Sequence, residues 1–415
     1  MKIGMISQWY EPEVQSATIP SAISRSLIAL GHDVSVLTGF PNYPSGRIYP
    51  GYHLRPYQFE SRSGVGVHRV PLWPSHDRSA VKRAANYLSF ASSAATRLRI
   101  LRSVDAWLVY STPATVAIPA LVAKAVYRRP FVLLIQDLWP DTVVESGFVG
   151  GGKYLELMAR SLHKFCDATY RNASSVAVTA PGMAELLSRR GVGADKLDVV
   201  PNWVDEEAFR PVPRDGEIAR QFDLDGFVVM YAGNLGDFQG LDTIIETAAL
   251  LGDIPELKLV FVGTGVAEGR LRAAAERTGR RNITFLGQQP LDRMAALMAL
   301  SDVQLVMLQD LPLFHATLPS KVQTALAAGR PIVAAAPGDA SRIIRESGAG
   351  LAVRPGDAGA LADALRRMYR LGAEGRESMG GRGRAFYLER LSARVGSVRL
   401  AHLLESAARG AGRPR

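Results

Sequence analysis

At 415 residues the chain is too long for one ordinary hydrophobic core, so two domains of similar size are expected; 47% hydrophobic and 21% charged residues, with no low-complexity tract, exclude a disordered chain. Its one cysteine, Cys166, excludes an internal disulfide and a cysteine-based metal cluster, and no apolar run reaches the ~18 residues a membrane span needs, which together predict a protein kept in the cytoplasm. The net charge of +10 is concentrated in the first half: residues 1–200 hold 22 Lys and Arg against 14 Asp and Glu, the remainder 27 against 25.

Short β-rich runs alternate with longer helical patterns throughout, the sign of parallel sheets covered by helices. The opening run 2–6 is strand-like and too brief for a signal-peptide core. A helix over about 18–30 follows, closed by Gly31 where a helix C-cap favours glycine, and leads into a strand at 33–38. Strands at 67–70, 106–110, 131–135 and 176–178 complete a first α/β domain, residues 1–200. Within it, Arg78, Lys82, Arg83, Arg97, Arg99 and Arg102 surround Tyr87, Leu88 and Phe90. Basic side chains interleaved with aromatic and aliphatic ones suit an anionic membrane surface, and a solvated helix face is the alternative. No nucleic-acid-binding motif accompanies them, so nucleic acid is not an expected partner.

A proline-punctuated stretch at 201–213 reads as a linker. The alternation then restarts, with strands at 227–232, 257–262, 283–286, 303–306, 331–335 and 350–353 and helices near 242–251, 267–278, 291–300, 320–327 and 358–371. This is a second doubly wound domain, 201–384, followed by a helical tail, 385–415. Ligands of such sheets bind at the carboxyl ends of the strands, so the chemistry belongs in the loops there, facing a cleft between the domains.

Three of those loops are candidates. In Leu318-Pro319-Ser320-Lys321-Val322-Gln323-Thr324, Ser320 falls near a helix N-cap, so the N–H groups of Lys321 and Val322, the helix dipole and the Lys321 charge converge on one spot suited to a diphosphate. The loop Gly233-Asn234-Leu235-Gly236-Asp237-Phe238-Gln239-Gly240 has three glycines at a strand-to-helix turn, which allows close backbone approach to phosphates or simply tight packing. Gly263-Thr264-Gly265 with Gly269 imitates a dinucleotide fingerprint, but its third glycine is one place late, and no nicotinamide site is expected. In the first domain, Asp137-Leu138-Trp139-Pro140 follows a strand: Asp137 can accept a hydrogen bond from a substrate hydroxyl, and Trp139 can stack on a sugar face. Glu145 is a helix-start carboxylate.

Together, in this order and spacing, these pieces resemble family 4 of the GT-B-fold glycosyltransferases over nearly the whole chain. Gln8-Trp9-Tyr10-Glu11-Pro12, Ala29-Leu30-Gly31-His32-Asp33-Val34, Val199-Val200-Pro201-Asn202-Trp203-Val204-Asp205, Tyr231-Ala232-Gly233-Asn234 and 319–331 carry the resemblance. Asp137-Leu138-Trp139-Pro140-Asp141, Gln239-Gly240-Leu241 and Leu318-Pro319-Ser320-Lys321 look like the bacterial subgroup that builds surface polysaccharides of the colanic-acid and O-antigen type, fucosaminyltransferases among them. The resemblance implies two facing Rossmann-like domains. It further implies a nucleotide-sugar donor, with a UDP-sugar slightly favoured, held by the second domain, and a glycan or lipid-linked glycan acceptor on the first. Configuration is expected to be retained, without metal or other cofactor. Donor contacts are then expected from Ser16, Ala17, Gly233, Asn234, Gln239, Gly240, Ser320, Lys321, Val322 and Thr324, and acceptor contacts from Asp137 and Trp139, with Asp137 and Lys321 catalytic. Most family members have an Arg and a Lys where this chain has Asn234 and Gln239, and two glutamates where it has Ala316 and Thr324; Phe238 also stands where a basic residue is expected. A sugar-nucleotide epimerase of the same fold and a catalytically silent partner are the alternatives.

Overall fold

Parallel pairing of short apolar strands organises both halves of the chain. The computed structural model describes residues 1–13, 18–76, 79–141 and 153–411; the expectations for Ser16, Ala17, Arg78 and Glu145 lie outside them. Two units are formed, Met1–Pro201 with Gly396–Arg415, and Asn202–Val395.

In the first unit β1 (Lys2–Ile6), β2 (Asp33–Gly39), β3 (Gln58–Arg62), β4 (Val65–Val70), β5 (Ala106–Ser111), β6 (Phe131–Ile135), β7 (Ser175–Val178) and β8 (Leu197–Val199) lie in the order β3-β4-β2-β1-β5-β6-β7-β8. All neighbours pair in parallel except β3 with β4, an antiparallel hairpin at the edge. β5 and β6 are buried at every position, as strands covered by helices on both faces must be. The sequence pattern does not announce β3 or β8: β3 reads Gln-Phe-Glu-Ser-Arg with its Phe59 exposed, and β8 has three residues.

The second unit holds β9 (Phe227–Ala232), β10 (Leu257–Val262), β11 (Ile283–Phe285), β12 (Val303–Met307), β13 (Ile332–Ala335) and β14 (Gly350–Val353), all parallel, in the order β11-β10-β9-β12-β13-β14. Phe227, Val229, Leu257, Leu259, Leu305 and Val333 share a core on one side of this sheet, and Val306, Ile332 and Ala334 pack with Val322 and Leu326 on the other. The strand sequence changes direction between β9 and β12, and in the first sheet between β1 and β5. Such switch points open a crevice at the strands' carboxyl ends.

The linker residues are packed, not free. Asn202 O accepts from Gln323 Nε2 at 2.6 Å, Val204 N–H donates to the buried Tyr387 hydroxyl at 3.2 Å, and Val212 O accepts from Arg330 at 3.3 Å. The tail consists of two helices, Gly372–Arg390 and Ala393–Ala411. Glu206 fixes the break between them by accepting from the Ala393 N–H at 2.7 Å and from the Tyr387 hydroxyl at 3.2 Å. The boundary expected at 384 thus falls inside a helix. From Gly396 the chain is part of the first unit, where Arg399 donates to Val199 O at 3.0 Å.

Glycine decides how the loops after β9 and β10 meet. Their strand pairing continues past the sheet edge: Gly233 N–H donates to Val262 O and Leu235 N–H to Thr264 O, each at 2.9 Å. Gly263 has φ +129°, and a Cβ there would run into the Gly233 carbonyl. The pseudo-fingerprint glycines therefore serve loop-to-loop contact. Gly263→Ala is expected to lower unfolding stability by about 2 kcal/mol, from backbone strain and steric conflict together; a denaturation midpoint equal to that of the unsubstituted protein refutes this.

Candidate functional site

At the β9–β12 switch point two segments converge. β9 ends in the exposed Gly233 and Asn234, continues through a 3-10 turn, Asp237–Gln239, and closes with Gly240 in the left-handed region before the helix Asp242–Leu250. β12 leads through residues 308–319 into the helix Ser320–Ala327. Gln309 stitches the two together, its N–H donating to Phe238 O at 3.0 Å and its side chain to Asp237 O at 2.9 Å.

Pro319, in extended backbone, is the helix N-cap, and Ser320 is the first helical residue with no side-chain cap. Ser320 thus lies next to the cap, as expected, and the helix start bears on three of the expected donor contacts. Ser320 is an exposed first-turn residue and not the cap. Val322 N–H is occupied by Pro319 O at 3.0 Å, and its side chain is fully buried, so it offers nothing to a ligand; proline at the cap tightens the first turn. Thr324 directs its hydroxyl proton to Ser320 O at 2.9 Å.

Lys321 brings a charged group against Gly233. Its Nζ lies 2.6 Å from the Tyr231 hydroxyl and 4.1 Å from that ring's centre. Tyr231, buried at the end of β9, donates its own proton to Asn234 O at 2.9 Å. A Cβ on Gly233 would sit 3.3 Å from Nζ, so the glycine leaves the space beside the amine open. Burial pushes the Lys321 amine down to about 7, with no other cause acting on it. Asn234 and Gln239 also converge: a Cβ on Gly236 would be 2.6 Å from Asn234 Nδ2 and equally 2.6 Å from Gln239 Oε1, and the latter is buried without a partner. Gly233, Asn234, Gln239, Gly240 and Lys321 thus belong to one loop cluster. Phe238, 48% exposed, meets Phe314 edge-on at 6.2 Å on its flank.

In the first unit, Thr112 after β5 donates to Asp137 Oδ2 after β6 at 2.6 Å. Burial raises the Asp137 carboxyl above its ordinary range, and the Thr112 bond opposes this. Asp137 and Trp139 line one small pocket with Ser111, Ile135, Cys166 and Tyr170. Tyr87 meets Trp139 edge-on at 6.0 Å and Trp9 at 6.4 Å, which joins the loops after β1 and β6 through aromatic contact. Glu13, buried, accepts from the N–H groups of Asn42 at 2.7 Å, Tyr43 at 2.8 Å and Tyr10 at 3.2 Å; burial raises it to about 7 against those bonds. It ties the loop after β1 to the loop after β2. Thr112, Tyr231 and Glu13 escaped sequence reasoning. Tyr231 looks like any core position of an apolar strand, and Thr112 is one hydroxyl among many.

The basic stretch is less uniform than its sequence. Phe90 is fully buried and takes no part in a surface. Arg83 donates to the Tyr87 hydroxyl at 3.2 Å. Exposed on the same helix, Ala80–Ala95, are Val81 (78%), Lys82 and Leu88 (49%), beside Trp73 (63%), whose N–H donates to Ser89 Oγ. No helix among the described residues is long and apolar enough to cross a membrane.

Residues 17–203 match the family model described as glycosyl transferase 4-like domain, and residues 226–370 that described as glycosyl transferases group 1. A protein of Escherichia coli K12 named as a colanic acid biosynthesis glycosyl transferase, WcaI, is 31% identical over 341 residues, 79% of this chain and 82% of that one. A D-inositol 3-phosphate glycosyltransferase of Mycobacterium leprae is 30% identical over 196 residues, 46% of this chain and 44% of its own. Among solved structures, HepE of Anabaena in complex with UDP superposes with a TM-score of 0.70 at 17% identity, over 98% of this chain and 100% of that one. Sucrose-phosphate synthase of Thermosynechococcus elongatus gives 0.71 at 18%, over 98% of both. At these identities the likeness concerns the fold.

The Lys321 amine carries a consequence for anion binding. An anion bound at Lys321 would favour the charged amine, so above about pH 7 its binding would be accompanied by proton uptake and its affinity would fall as pH rises, by up to about tenfold per unit. Calorimetry with a nucleoside diphosphate between about pH 6.5 and 9 should show this decline, with heats that depend on the buffer's ionisation; affinity independent of pH removes Lys321 from the anion site.

Proposed function

This chain belongs to family 4 of the GT-B-fold glycosyltransferases, and we propose that it transfers a sugar, with retention of configuration, from a nucleotide-sugar donor to a glycan or lipid-linked glycan in the assembly of a bacterial surface polysaccharide. The observation that carries the donor side is the Lys321 amine, held at the open face of Gly233 by the Tyr231 hydroxyl, with no ion pair to it among the described residues. A desolvated cation of this kind is matched by the charge that develops on a departing diphosphate. The N–H groups of the Ser320 helix start add the same polarity. UDP is the favoured carrier, since HepE, of the same fold, was solved with it. The resemblance to WcaI favours a polysaccharide as the product.

In this reading the bond from the anomeric carbon to the diphosphate breaks while the acceptor oxygen attacks from the same face. The acceptor's proton passes to the leaving diphosphate oxygen, so the protein needs no covalent nucleophile, and the carboxylate pair of a glycoside hydrolase is the wrong template. Lys321 stabilises the negative charge left behind. Asp137, oriented by Thr112, accepts a hydrogen bond from a neighbouring hydroxyl of the acceptor and so aims the attacking one, and Trp139 gives a sugar face a ring to stack on. Lys321→Ala is expected to weaken nucleotide-sugar binding by about 1.5 to 3 kcal/mol, as for a lost hydrogen bond to a charged group. Asp137→Asn should instead depress turnover by at least about tenfold with donor affinity retained. The two are compared by donor titration and by nucleotide release with and without lipid-linked acceptor; loss of donor affinity in Asp137→Asn moves that residue to the donor.

For a lipid-linked acceptor, the exposed Trp73, Val81 and Leu88 beside Lys82 form the surface that meets an anionic leaflet, the apolar groups entering and the basic ones adding about 1 kcal/mol each. Co-sedimentation with anionic vesicles, lost at high salt and reduced by Lys82→Glu or Trp73→Ala, is expected. A protein that ignores anionic vesicles at low salt has an ordinary solvated face there.

A further inference from the structure

We propose that Tyr231 is the positioning residue of the donor site: one hydroxyl sets both the Lys321 amine and the backbone loop that together receive the diphosphate. The proposal rests on the reading of Lys321 as a donor ligand. Tyr231 is 1% exposed and lies at the end of β9, where the strand hands over to the loop. A tyrosine hydroxyl has a single proton, and here it goes to Asn234 O at 2.9 Å. Towards Lys321 the same oxygen can therefore only accept, and it does so at 2.6 Å. The ring adds its face, 4.1 Å from Nζ to the centroid, the distance at which a cation is attracted to an aromatic quadrupole.

Two features separate this from ordinary packing. A lysine whose role is to close a core is paired with a carboxylate, because an unpaired buried charge is costly; here the contacts of Nζ are a neutral hydroxyl at 2.6 Å and the face of its ring. The loop on the other side of the hydroxyl is also the one that must not move. Gly233 lies against the amine, and Asn234 is fixed at its carbonyl by Tyr231 while Leu235 is fixed by Thr264. Tyrosine and lysine stand 90 positions apart in sequence, so the hydroxyl joins the β9 loop to the helix after β12 across the switch point. Removing it frees both partners at once while leaving the ring in the core.

The test is a double-mutant cycle read by calorimetry with UDP, GDP and dTDP, each variant measured below its own melting transition. Lys321→Met is expected to weaken the tightest of the three by about tenfold or more, and Tyr231→Phe by about fivefold. In Tyr231→Phe/Lys321→Met the loss should exceed that of Lys321→Met alone by less than the fivefold of Tyr231→Phe, because the hydroxyl acts partly through the amine and partly through the Asn234 loop. In steady-state transfer Tyr231→Phe should raise the donor KM and leave the acceptor KM unchanged, a split that general loss of packing would not produce. Losses that multiply in the double variant, or a Tyr231→Phe affinity within twofold of the unsubstituted protein, overturn the positioning role while Lys321 stays a donor ligand. An unchanged affinity in Lys321→Met overturns the donor-site reading itself.

Discussion

Within each sheet the strands joined by helices run the same way, so their carboxyl ends share one rim, and helices return the chain to the opposite rim before each new strand. That constraint is why residues distant in sequence share a site. Lys321 reaches Tyr231 because β12 lies beside β9 although two strands, three α-helices and a 3-10 turn separate them in sequence. Thr112 reaches Asp137 because β5 and β6 are neighbours. Where the order of strands changes direction, adjacent loops diverge to opposite faces and leave room between them; in the second sheet that room is bounded by the Gly233 loop and the start of the Ser320 helix.

The loops at the β9–β12 switch point carry fewer basic residues than the sequence resemblance implies. At the positions where the sequence resemblance implies an Arg and a Lys, the amides of Asn234 and Gln239 lie together around Gly236, and Gln239 Oε1 is buried without a hydrogen-bond partner among the described residues. The Lys321 amine beside them is desolvated, which makes it easy to neutralise and, for the same reason, makes its interaction with an anion strong when it is charged. Phe238 and Phe314 give the flank of the site an apolar character where a basic residue was expected.

On the first unit the loops at the rim are held by buried polar groups. Glu13 joins two of them through three backbone N–H groups, and Gln8 joins the β1 loop to the Ala80–Ala95 helix through Asn86 at 2.5 Å. Such contacts fix loop backbones that could not be buried unsatisfied. The last helix closes this unit, with His32 3.8 Å from Glu405.

The sequence by itself determined the alternation of strands and helices, the division into two α/β halves and the loops that carry the chemistry, because period, glycine and proline act locally on the backbone. Phe227–Ala232, Leu257–Val262 and Ser320–Ala327 have the bounds their apolar patterns imply. Edge strands escaped that reading, since β3 buries too little to need an apolar pattern and β8 is too short to show one. Only the tertiary structure decided which side chains in those loops are available. Whether Val322 faces the core, whether Pro319 and not Ser320 caps the helix, and whether Phe90 lies under the surface all depend on what packs against them. The partner of Lys321 belongs to the same class: a hydroxyl at the end of a buried strand has no local signature, and its role exists only because parallel strands of different sequence position share a rim.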